Sequence, residues 1–294
     1  MNIYTWWTAC RPNTLIISIA PVLLGLSLSI HNNNFSSILV ALLTLIAAVL
    51  IQIGTNFIND LYDFISGADT ENRLGPIRAT QSGLLSKQEI KAGAFFCFIL
   101  ALIIGIYLVY IGGVPILIIG LLSLISGYCY TAGPYPLAYK GLGDIFVFIF
   151  FGLVAVPGTY YLQSNILFDI NSILIGSSIG FMAVAILCVN NIRDIQSDSK
   201  VGKKTLAVRF GANKITILYD IMILASYLSI IILIFKEGIY NQSGMFLLFL
   251  SFPIAIKLMI DIHQTSGKEL NFILARTALL IRIFSILLII GILL

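Results

Sequence analysis

Long runs of apolar residues, broken only by short polar segments, dominate the sequence. Of the 294 residues, 59% are hydrophobic and only 10% are charged, whereas soluble domains average about 25% charged residues. A helix needs about 20 consecutive apolar residues to cross a bilayer, and the runs have about that length. They lack the alternation of polar and apolar residues that is typical of membrane β-barrels. The sequence therefore predicts an all-α membrane protein and excludes a soluble one.

Nine apolar runs predict nine transmembrane helices in a single integral-membrane domain that spans residues 1-294. The predicted spans are 13–30, 37–58, 92–111, 114–130, 142–163, 172–190, 215–235, 244–260 and 272–294. Gly112 and Gly113, with Pro115 close behind, predict a tight hairpin between the third and fourth spans. The first run has neither a basic leading segment nor a convincing cleavage site, so we expect a retained helix rather than a signal peptide.

The positions of the basic residues predict the orientation, because Lys and Arg are enriched in cytoplasmic loops. With a cytoplasmic N-terminus, all of the 17 lysines and arginines except Lys236 and Arg282 fall in cytoplasmic loops or helix ends. The longest loops, 59–91 and 191–214, then lie on the cytoplasmic face. The net charge of +4 follows from this topology and gives no reason to expect nucleic-acid binding.

A first cluster of polar side chains lies where the second span ends, between Gln52 and Thr80. If the helix continues to about Phe64, two carboxamides and two carboxylates share one of its faces: Asn56, Asn59, Asp60 and Asp63. Asp69 follows, and then Arg73 and Arg78. Anionic side chains at the end of a membrane span need partners, so we expect a cation to bind here.

A second cluster follows the sixth predicted span. Asn190, Asp194 and Asp198 are separated by three residues each, which again places them on one helical face. Basic residues and a threonine come after both clusters, as Arg78-Ala79-Thr80 and Lys203-Lys204-Thr205. The chain therefore carries a weak internal repeat that brings two acidic segments to the same side of the membrane.

Carboxylate oxygens suit Mg²⁺, which binds through few protein ligands together with substrate phosphates. We expect the metal ligands among Asn59, Asp60, Asp63, Asp69, Asn190, Asp194 and Asp198, with Asp60, Asp63, Asp194 and Asp198 central to catalysis. We expect the phosphate contacts from Arg73, Arg78, Lys203 and Lys204. Such a site stabilises a departing diphosphate. Alternatively, these acids are solvated helix caps that only pair with nearby basic residues of the loops. The presence of two clusters with similar spacing and similar basic residues after them disfavours this interpretation.

Several other polar residues have both a functional and a structural interpretation. Tyr130 offers an aromatic face for a carbocation or belongs to an interfacial aromatic belt. Lys140 is expected to bind an aromatic carboxylate or the diphosphate, or is an ordinary cytoplasmic lysine. Arg11 is expected to reach the mouth of a binding cavity or to anchor the first span. Arg282, inside the last span, predicts a structural ion pair, with Asp220 as the candidate partner.

The polar segments resemble those of the UbiA superfamily of intramembrane aromatic prenyltransferases. The similarity covers residues 6 to about 211 and lies in RPNTL (11–15), NDLYDFISGADTENRLGP (59–76), YTAGPYPLAYKGLGD (130–144) and NNIRDIQSDSKVGKKTLAVRFG (190–211). Within the superfamily these segments resemble the branch that prenylates 1,4-dihydroxy-2-naphthoate. The last three predicted spans carry little of the family signature.

The resemblance implies a helical bundle around a central cavity that opens laterally to lipid, in a multi-pass protein of the plasma or inner membrane with its site on the cytoplasmic face. It implies that Mg²⁺ and a polyprenyl diphosphate bind, that diphosphate leaves an allylic cation, and that the aromatic acid's ring attacks that cation. In the naphthoate branch CO₂ leaves and demethylmenaquinol forms. The acceptors 4-hydroxybenzoate and homogentisate remain alternatives.

A transporter with paired acids is a second class of function. Transporters place such charges near the bilayer midplane on broken helices, whereas these acids lie at helix ends that are followed by basic loops, which favours the enzyme. The sequence does not indicate the length of the prenyl chain or the oligomeric state.

Overall fold

The chain forms helices almost throughout the residues that the computed structural model describes, which are 3–70, 73–238 and 243–294. The α-helices are α1 (Ile3–Cys10), α2 (Ile16–His31), α3 (Ile38–Ile65), α4 (Lys87–Cys129), α5 (Gly143–Val147), α6 (Ala155–Ser164), α7 (Ile170–Arg193), α8 (Ile195–Lys200), α9 (Leu206–Phe210), α10 (Ala212–Glu237), α11 (Phe252–Gln264) and α12 (Leu270–Leu293). Short 3-10 helices cover Pro12–Thr14, Ser243–Ser251 and Gly267–Glu269, and a π-helix covers Phe148–Val154. The predicted all-α fold is confirmed.

Within the described residues, seven helical segments are long and apolar enough to cross a bilayer, and the number becomes eight if one bent pair counts as a span. The seven are Ile38–Ile65, Lys87–Cys129, Gly143–Ser164, Ile170–Arg193, Ala212–Glu237, Ser243–Gln264 and Gly267–Leu293. The bent pair joins Tyr4–Thr14 to Ile16–His31 at 57°. The count differs from the predicted nine because two predicted spans lie within Lys87–Cys129 and one lies in the bent pair.

Helix α4 has 43 residues and would be about 65 Å long if it were straight, roughly twice the thickness of a bilayer core. Its backbone leaves helical geometry at Gly113, where φ is 65°. Beyond that break the chain returns beside itself, since a Cβ built on Gly127 would lie 3.5 Å from the Phe98 ring. The same two residues would be about 44 Å apart in a continuous helix. The two halves therefore pack side by side, as the predicted hairpin at Gly112 and Gly113 requires.

Helix α7 is the most buried of the candidate spans and forms the centre of the bundle. It packs against α2, α6, α10 and α12 through a large apolar cluster. Tyr219 of α10 and Phe284 of α12 are fully buried in that cluster, and the Tyr219 hydroxyl lies 2.9 Å from Thr277 Oγ1. Because α7 is held on several sides, the acidic segment that follows its last turn is held by rigid elements.

A second apolar cluster supports the end of α3. Phe57, Ile58 and Leu61 of α3 pack there against Ala9 of α1 and Ile90 of α4. Asp63 lies on the opposite face of α3 from these three side chains, whereas Asp60 lies beside them and accepts a hydrogen bond from Ala79 of the same cluster. The helix ends at Ile65, and Gly67 follows with φ of 79°, a left-handed conformation that glycine adopts without steric cost.

The π-helix Phe148–Val154 approaches α7 closely because glycines meet at the crossing. A Cβ on Gly152 would lie 2.9 Å from the carbonyl oxygen of Gly176 and 3.0 Å from the Cα of Gly180. Small residues of this kind allow close backbone contact between membrane helices. The tight crossing fixes the neighbouring Phe150 and Phe151, which line the central cavity.

The predicted ion pair between Arg282 and Asp220 is wrong. Asp220 Oδ2 lies 2.7 Å from His263 Nε2, so Asp220 on α10 pairs with the end of α11. Arg282 Nη2 instead donates to Asn13 Oδ1 at 3.4 Å. Arg282 thus links α12 to the short 3-10 turn that precedes α2.

Candidate active site

The two acidic segments predicted from the sequence meet at the end of α3. Lys203 Nζ lies 3.4 Å from Asp63 Oδ1 and 3.5 Å from Asp198 Oδ1. Asp63 belongs to the last turns of α3, and Asp198 lies on α8, which follows α7 after a bend at Asp194. Both carboxylates are almost fully buried. One ammonium group therefore joins the first acidic segment to the second.

Two arginines extend this network of charges. Arg73 pairs with Asp69, and its Nη2 lies 3.9 Å from Asp194 Oδ2. Arg78 Nε lies 3.2 Å from Asp69 Oδ2, and its Nη2 lies 3.9 Å from Asp63 Oδ2. The predicted phosphate-binding residues Arg73, Arg78 and Lys203 therefore all lie among the predicted acids.

Burial and charge act in opposite directions on the ionisable groups here. Burial raises the pKa of Asp198 to about 6, although Lys203 opposes this effect. Burial is the largest effect on the pKa of Asp194 and raises it, but the hydrogen bonds and charge of Arg193, together with the charges of Arg73 and Lys203, lower the pKa overall. Burial lowers the pKa of Lys203, yet Asp63 and Asp198 raise it overall. The lysine is therefore held in its charged form between two acids.

Tyr139 adds a hydroxyl to this cluster. Its OH donates to Asp63 Oδ1 at 3.0 Å and lies 2.6 Å from Ser66 Oγ, and Lys203 Nζ lies 5.2 Å from the centre of its ring. Burial, followed by the charge of Asp63, raises the pKa of Tyr139 to about 12, so the phenol remains a hydrogen-bond donor. No pattern in the sequence singled out Tyr139, so its contact with Asp63 was missed.

Asp60, predicted to be a metal ligand and catalytic acid, supports the loop that carries Arg78. Its Oδ2 and Oδ1 accept the backbone N–H groups of Ala79 and Thr80, each at 3.0 Å, and the residue is almost fully buried. Both oxygens therefore hold this loop. The metal contact of Asp60 stays a prediction.

A cavity of about 430 Å³ begins at this polar end and extends among the apolar helices. Its polar lining includes Arg11, Gln52, Asn59, Tyr130 and Asn190. Asn59 Oδ1 is buried without a hydrogen-bond partner among the described residues. The remaining lining is mostly aliphatic and aromatic and comes from α2, both halves of α4, the π-helix and α6. An occupant with one polar and one long apolar end fits this shape.

The structure brings three further predicted residues to the cavity. Arg11 Nη2 donates to the carbonyl oxygen of Asn56 at 3.3 Å, and Arg11 has a left-handed backbone with φ of 54°, which is unfavourable for a non-glycine residue. Tyr130 and Asn190 both line the cavity. Arg11 therefore lies in the lining of the cavity, and its contact with a substrate stays a prediction.

Lys140 and Lys204 are not brought to the acids. The Lys140 side chain is exposed, with Nζ 5.3 Å from the centre of the Tyr135 ring. The Lys204 side chain is also exposed, while its backbone N–H donates to the carbonyl oxygen of Tyr139 at 2.9 Å. Both side chains therefore lie outside the cluster of acids, and their contacts with a phosphate or a carboxylate stay predictions.

The donor set of the cluster fits Mg²⁺. Within the described residues, no group of three His, Cys, Asp or Glu side chains could hold a metal ion alone. Mg²⁺ needs only one or two protein carboxylates when substrate phosphates and waters complete its octahedron. The carboxylates of Asp63, Asp194 and Asp198 and the unpaired Asn59 oxygen are donors of that type.

Comparisons with known proteins agree with the fold and the site. The UbiA prenyltransferase family matches residues 18–290. This chain belongs to the UbiA prenyltransferase family. A 1,4-dihydroxy-2-naphthoate octaprenyltransferase of Haemophilus influenzae is 36% identical over 98% of this chain and 95% of that protein. The Escherichia coli protein of the same name is 41% identical over 70% of this chain and 68% of that protein.

A solved UbiA homologue from Archaeoglobus fulgidus, bound to GPP and Mg²⁺, has a TM-score of 0.64 with this chain at 17% identity. The alignment covers 97% of this chain and 99% of the homologue. At this level of identity the likeness establishes the fold. As a UbiA-family member, this chain is a prenyltransferase of the membrane, and the family predicted from its polar segments is confirmed.

Proposed function

We propose that this protein transfers a polyprenyl group from polyprenyl diphosphate to 1,4-dihydroxy-2-naphthoate, with release of diphosphate and CO₂ and formation of demethylmenaquinol. The observation that carries the proposal is the position of Lys203, between Asp63 of one acidic segment and Asp198 of the other. Asp63 and Asp194 of these segments lie four positions after Asn59 and Asn190, which line the polar end of an apolar cavity. The names of the Haemophilus influenzae and Escherichia coli relatives support the choice of acceptor.

Asp63, Asp194 and Asp198, together with Asn59 and Asn190, would hold Mg²⁺, with Asp69 close by. The bound ion would supply positive charge that stabilises the leaving diphosphate. Arg73, Arg78 and Lys203 bind the remaining phosphate oxygens, since guanidinium and ammonium groups form strong charge-assisted hydrogen bonds with them. The carboxylates position these bases before substrate arrives, because each base already has an acidic partner.

The reaction begins when the allylic C–O bond breaks and its electron pair leaves with diphosphate. The ring carbon that bears the carboxylate then forms a bond with the allylic cation. The bond to the carboxylate breaks next, and its electrons restore the aromatic ring as CO₂ departs. The ring of Tyr130, at the polar end of the cavity, stabilises the cation through its aromatic face, and Arg11 binds the diphosphate at the cavity mouth.

The apolar part of the cavity binds the prenyl chain. Its lining from α4 includes Leu102, Ile106 and Leu121, which are also exposed on the outer surface of the bundle. The chain therefore has a route in from the surrounding lipid between the helices. A transporter would need charges at the membrane midplane, whereas the acids here lie in the last turns of α3 or directly after α3 and α7.

We also propose nine spans with a cytoplasmic N-terminus. The hairpin at Gly113 divides α4 into two spans, and the bent pair near the N-terminus supplies another. The positive residues then lie mainly on the cytoplasmic side, where both acidic segments and the active site open, in the plasma or inner membrane.

The proposal is tested with purified protein in detergent, a labelled polyprenyl diphosphate and a panel of aromatic acids. We expect product only with Mg²⁺, and we expect release of one CO₂ per transfer with dihydroxynaphthoate. Transfer to 4-hydroxybenzoate or homogentisate instead would replace the proposed acceptor. Absence of product with every acceptor would refute the proposed enzyme function.

A further inference from the structure

The beginning of α12 contacts both acidic segments, although the sequence there carried no recognisable motif. Asn271 Nδ2 donates to the carbonyl oxygen of Leu74 at 2.7 Å and to that of Lys268 at 3.0 Å. Its Oδ1 accepts a hydrogen bond from Arg193 Nη1 at 2.9 Å. One carboxamide therefore joins the loop after the first acidic segment to the end of α7.

Arg193 connects Asn271 to Asp194 of the second acidic segment. Its Nε and Nη2 donate to the two oxygens of Asp194 at 2.8 and 2.7 Å, a forked geometry that fixes the plane of a carboxylate. Arg193 is almost fully buried, so an acceptor lost from its third nitrogen would not be replaced readily by water. Asn271 thus completes the set of acceptors that orients the guanidinium, and the guanidinium orients Asp194.

The Nδ2 group of Asn271 holds the loop that carries Arg73. Leu74 directly follows Arg73, which contacts Asp69 and approaches Asp194. A Cβ on Gly75 would lie 2.9 Å from Arg193 Cζ and from Arg73 Nη2, so the loop backbone packs directly on both guanidinium groups. The Asn271 contact at Leu74 therefore limits where Arg73 lies relative to Asp194.

We propose that Asn271 is a positioning residue for diphosphate binding, which it supports by fixing Arg73 through Leu74 and Asp194 through Arg193. It touches neither substrate nor metal in this arrangement. The catalytic consequence of this inference rests on the proposed function. The hydrogen bonds of Asn271 to Leu74 and Arg193, here called the Asn271 tether, form in the protein without substrate. Loss of groups that orient metal ligands reduces metal affinity or activity about 10- to 100-fold.

Two variants separate the two arms of the tether. Asn271→Leu removes all three hydrogen bonds of the side chain, whereas Asn271→Asp keeps an acceptor for Arg193 and removes the donor to Leu74 and Lys268. The matched control is Thr277→Val on the same helix, which removes the buried hydrogen bonds of Thr277 to Tyr219 and Ile273, both outside the two acidic segments. It reports the effect of losing a buried hydrogen bond in α12 without changing the tether.

The first measurement is hydrogen exchange of peptides that cover residues 73–80 in metal-free protein. The second is binding of a thio analogue of geranyl diphosphate, with and without MgCl₂. We expect Asn271→Leu to accelerate exchange of this loop and to raise the Mg²⁺-dependent Kd about 10- to 100-fold, with a smaller rise for Asn271→Asp. In turnover, the KM for the prenyl diphosphate should rise while the KM for the aromatic acid stays unchanged.

Exchange and Kd values in both Asn271 variants equal to those of Thr277→Val would overturn the proposal. If Asn271→Leu fails to fold, the comparison of Asn271→Asp with Thr277→Val decides the proposal. Asn271→Asp preserves the shape of the side chain and its hydrogen bond from Arg193. If the wild-type protein itself does not bind the analogue, the proposed function fails, and the exchange data still decide whether Asn271 tethers the loop.

Discussion

Lys203 Nζ lies 3.4 Å from Asp63 Oδ1 although 140 positions separate the two residues in the chain. The lysine comes from the second acidic segment and the carboxylate from the first. It also lies 3.5 Å from Asp198, so its removal would leave two buried acids without their shared cation. A divalent cation bound between Asp63 and Asp198 would replace the positive charge that is lost with Lys203.

Lys203→Met is therefore expected to destabilise the protein in EDTA. Breaking a buried ion pair by removing one partner costs about 3–5 kcal/mol, and we expect a loss near the lower end because Arg78 also approaches Asp63. MgCl₂ should restore a larger part of the lost stability than it adds to the wild type. Thermal unfolding with EDTA and with MgCl₂ measures both effects.

Lys204→Met is the matched control, since its side chain is exposed beside Lys203. It should unfold as the wild type does under both conditions. Equal behaviour of the two variants would contradict a shared cation between the acidic segments.

Asp63→Asn and Asp194→Asn are expected to lower the rate of prenyl transfer by at least about 100-fold, the size of effect seen when one group that stabilises transition-state charge is removed. Asparagine preserves the shape of each side chain but not its charge. Product formation and CO₂ release measure the loss. Asp261→Asn is the control, because Asp261 pairs with Lys257 of α11 and Arg276 of α12, which belong to neither acidic segment. Near-normal rates in both site variants would refute their role.

The acidic segments could be predicted because their chemistry is local in sequence. Asn59, Asp63 and Asp194 stand at helical spacings beside long apolar runs, and few structures other than a cation site explain such a pattern in a membrane protein. The hairpin in α4 was predictable for a similar reason, since Gly113 needs a backbone conformation that glycine favours.

The supporting contacts could not be predicted because they join distant parts of the chain. Asn271 reaches Arg193 over 78 positions and Leu74 over 197, and no spacing rule connects such residues. The exposed positions of Lys140 and Lys204 could not be predicted since charge alone does not tell which way a loop side chain points. The bonds of Asp60 to Ala79 and Thr80 could not be predicted because a carboxylate that accepts backbone N–H groups has the same sequence signature as a metal ligand.

Asp60→Asn is expected to loosen the loop that carries Arg78. An amide group in place of the carboxylate presents N–H to a backbone N–H, so at least one of the hydrogen bonds to Ala79 and Thr80 is lost. An unsatisfied buried group costs about 1–3 kcal/mol. We expect a matching fall in the free energy of unfolding and faster hydrogen exchange at residues 79–80.

The Mg²⁺ concentration that gives half-maximal rate should stay unchanged in Asp60→Asn and should rise in Asp63→Asn wherever activity remains measurable. Unchanged loop exchange together with a raised Mg²⁺ requirement in Asp60→Asn would return Asp60 to the set of metal ligands.

Gly120→Leu is expected to change the preference for prenyl chain length. Gly120 lines the cavity, and within the described residues nothing beyond its own stretch of helix lies within 4 Å of a Cβ built there, so the larger side chain fits without straining the fold. It lies about 15 Å along the helix from Tyr130, deep in the apolar part. Transfer from geranyl diphosphate should stay near the wild-type rate, while kcat/KM for an octaprenyl diphosphate should fall about 10-fold, because steric mismatch in an apolar pocket has effects of this size.

Leu122→Phe is the matched control for this experiment, since Leu122 is 51% exposed and does not line the cavity. It adds bulk two positions away on the outer surface and should leave both substrates unaffected. An equal loss with short and long donors in Gly120→Leu would mean that the substitution disturbs the site itself. No loss with either donor would mean that the prenyl chain takes another route, and the apolar cavity would then need a different occupant.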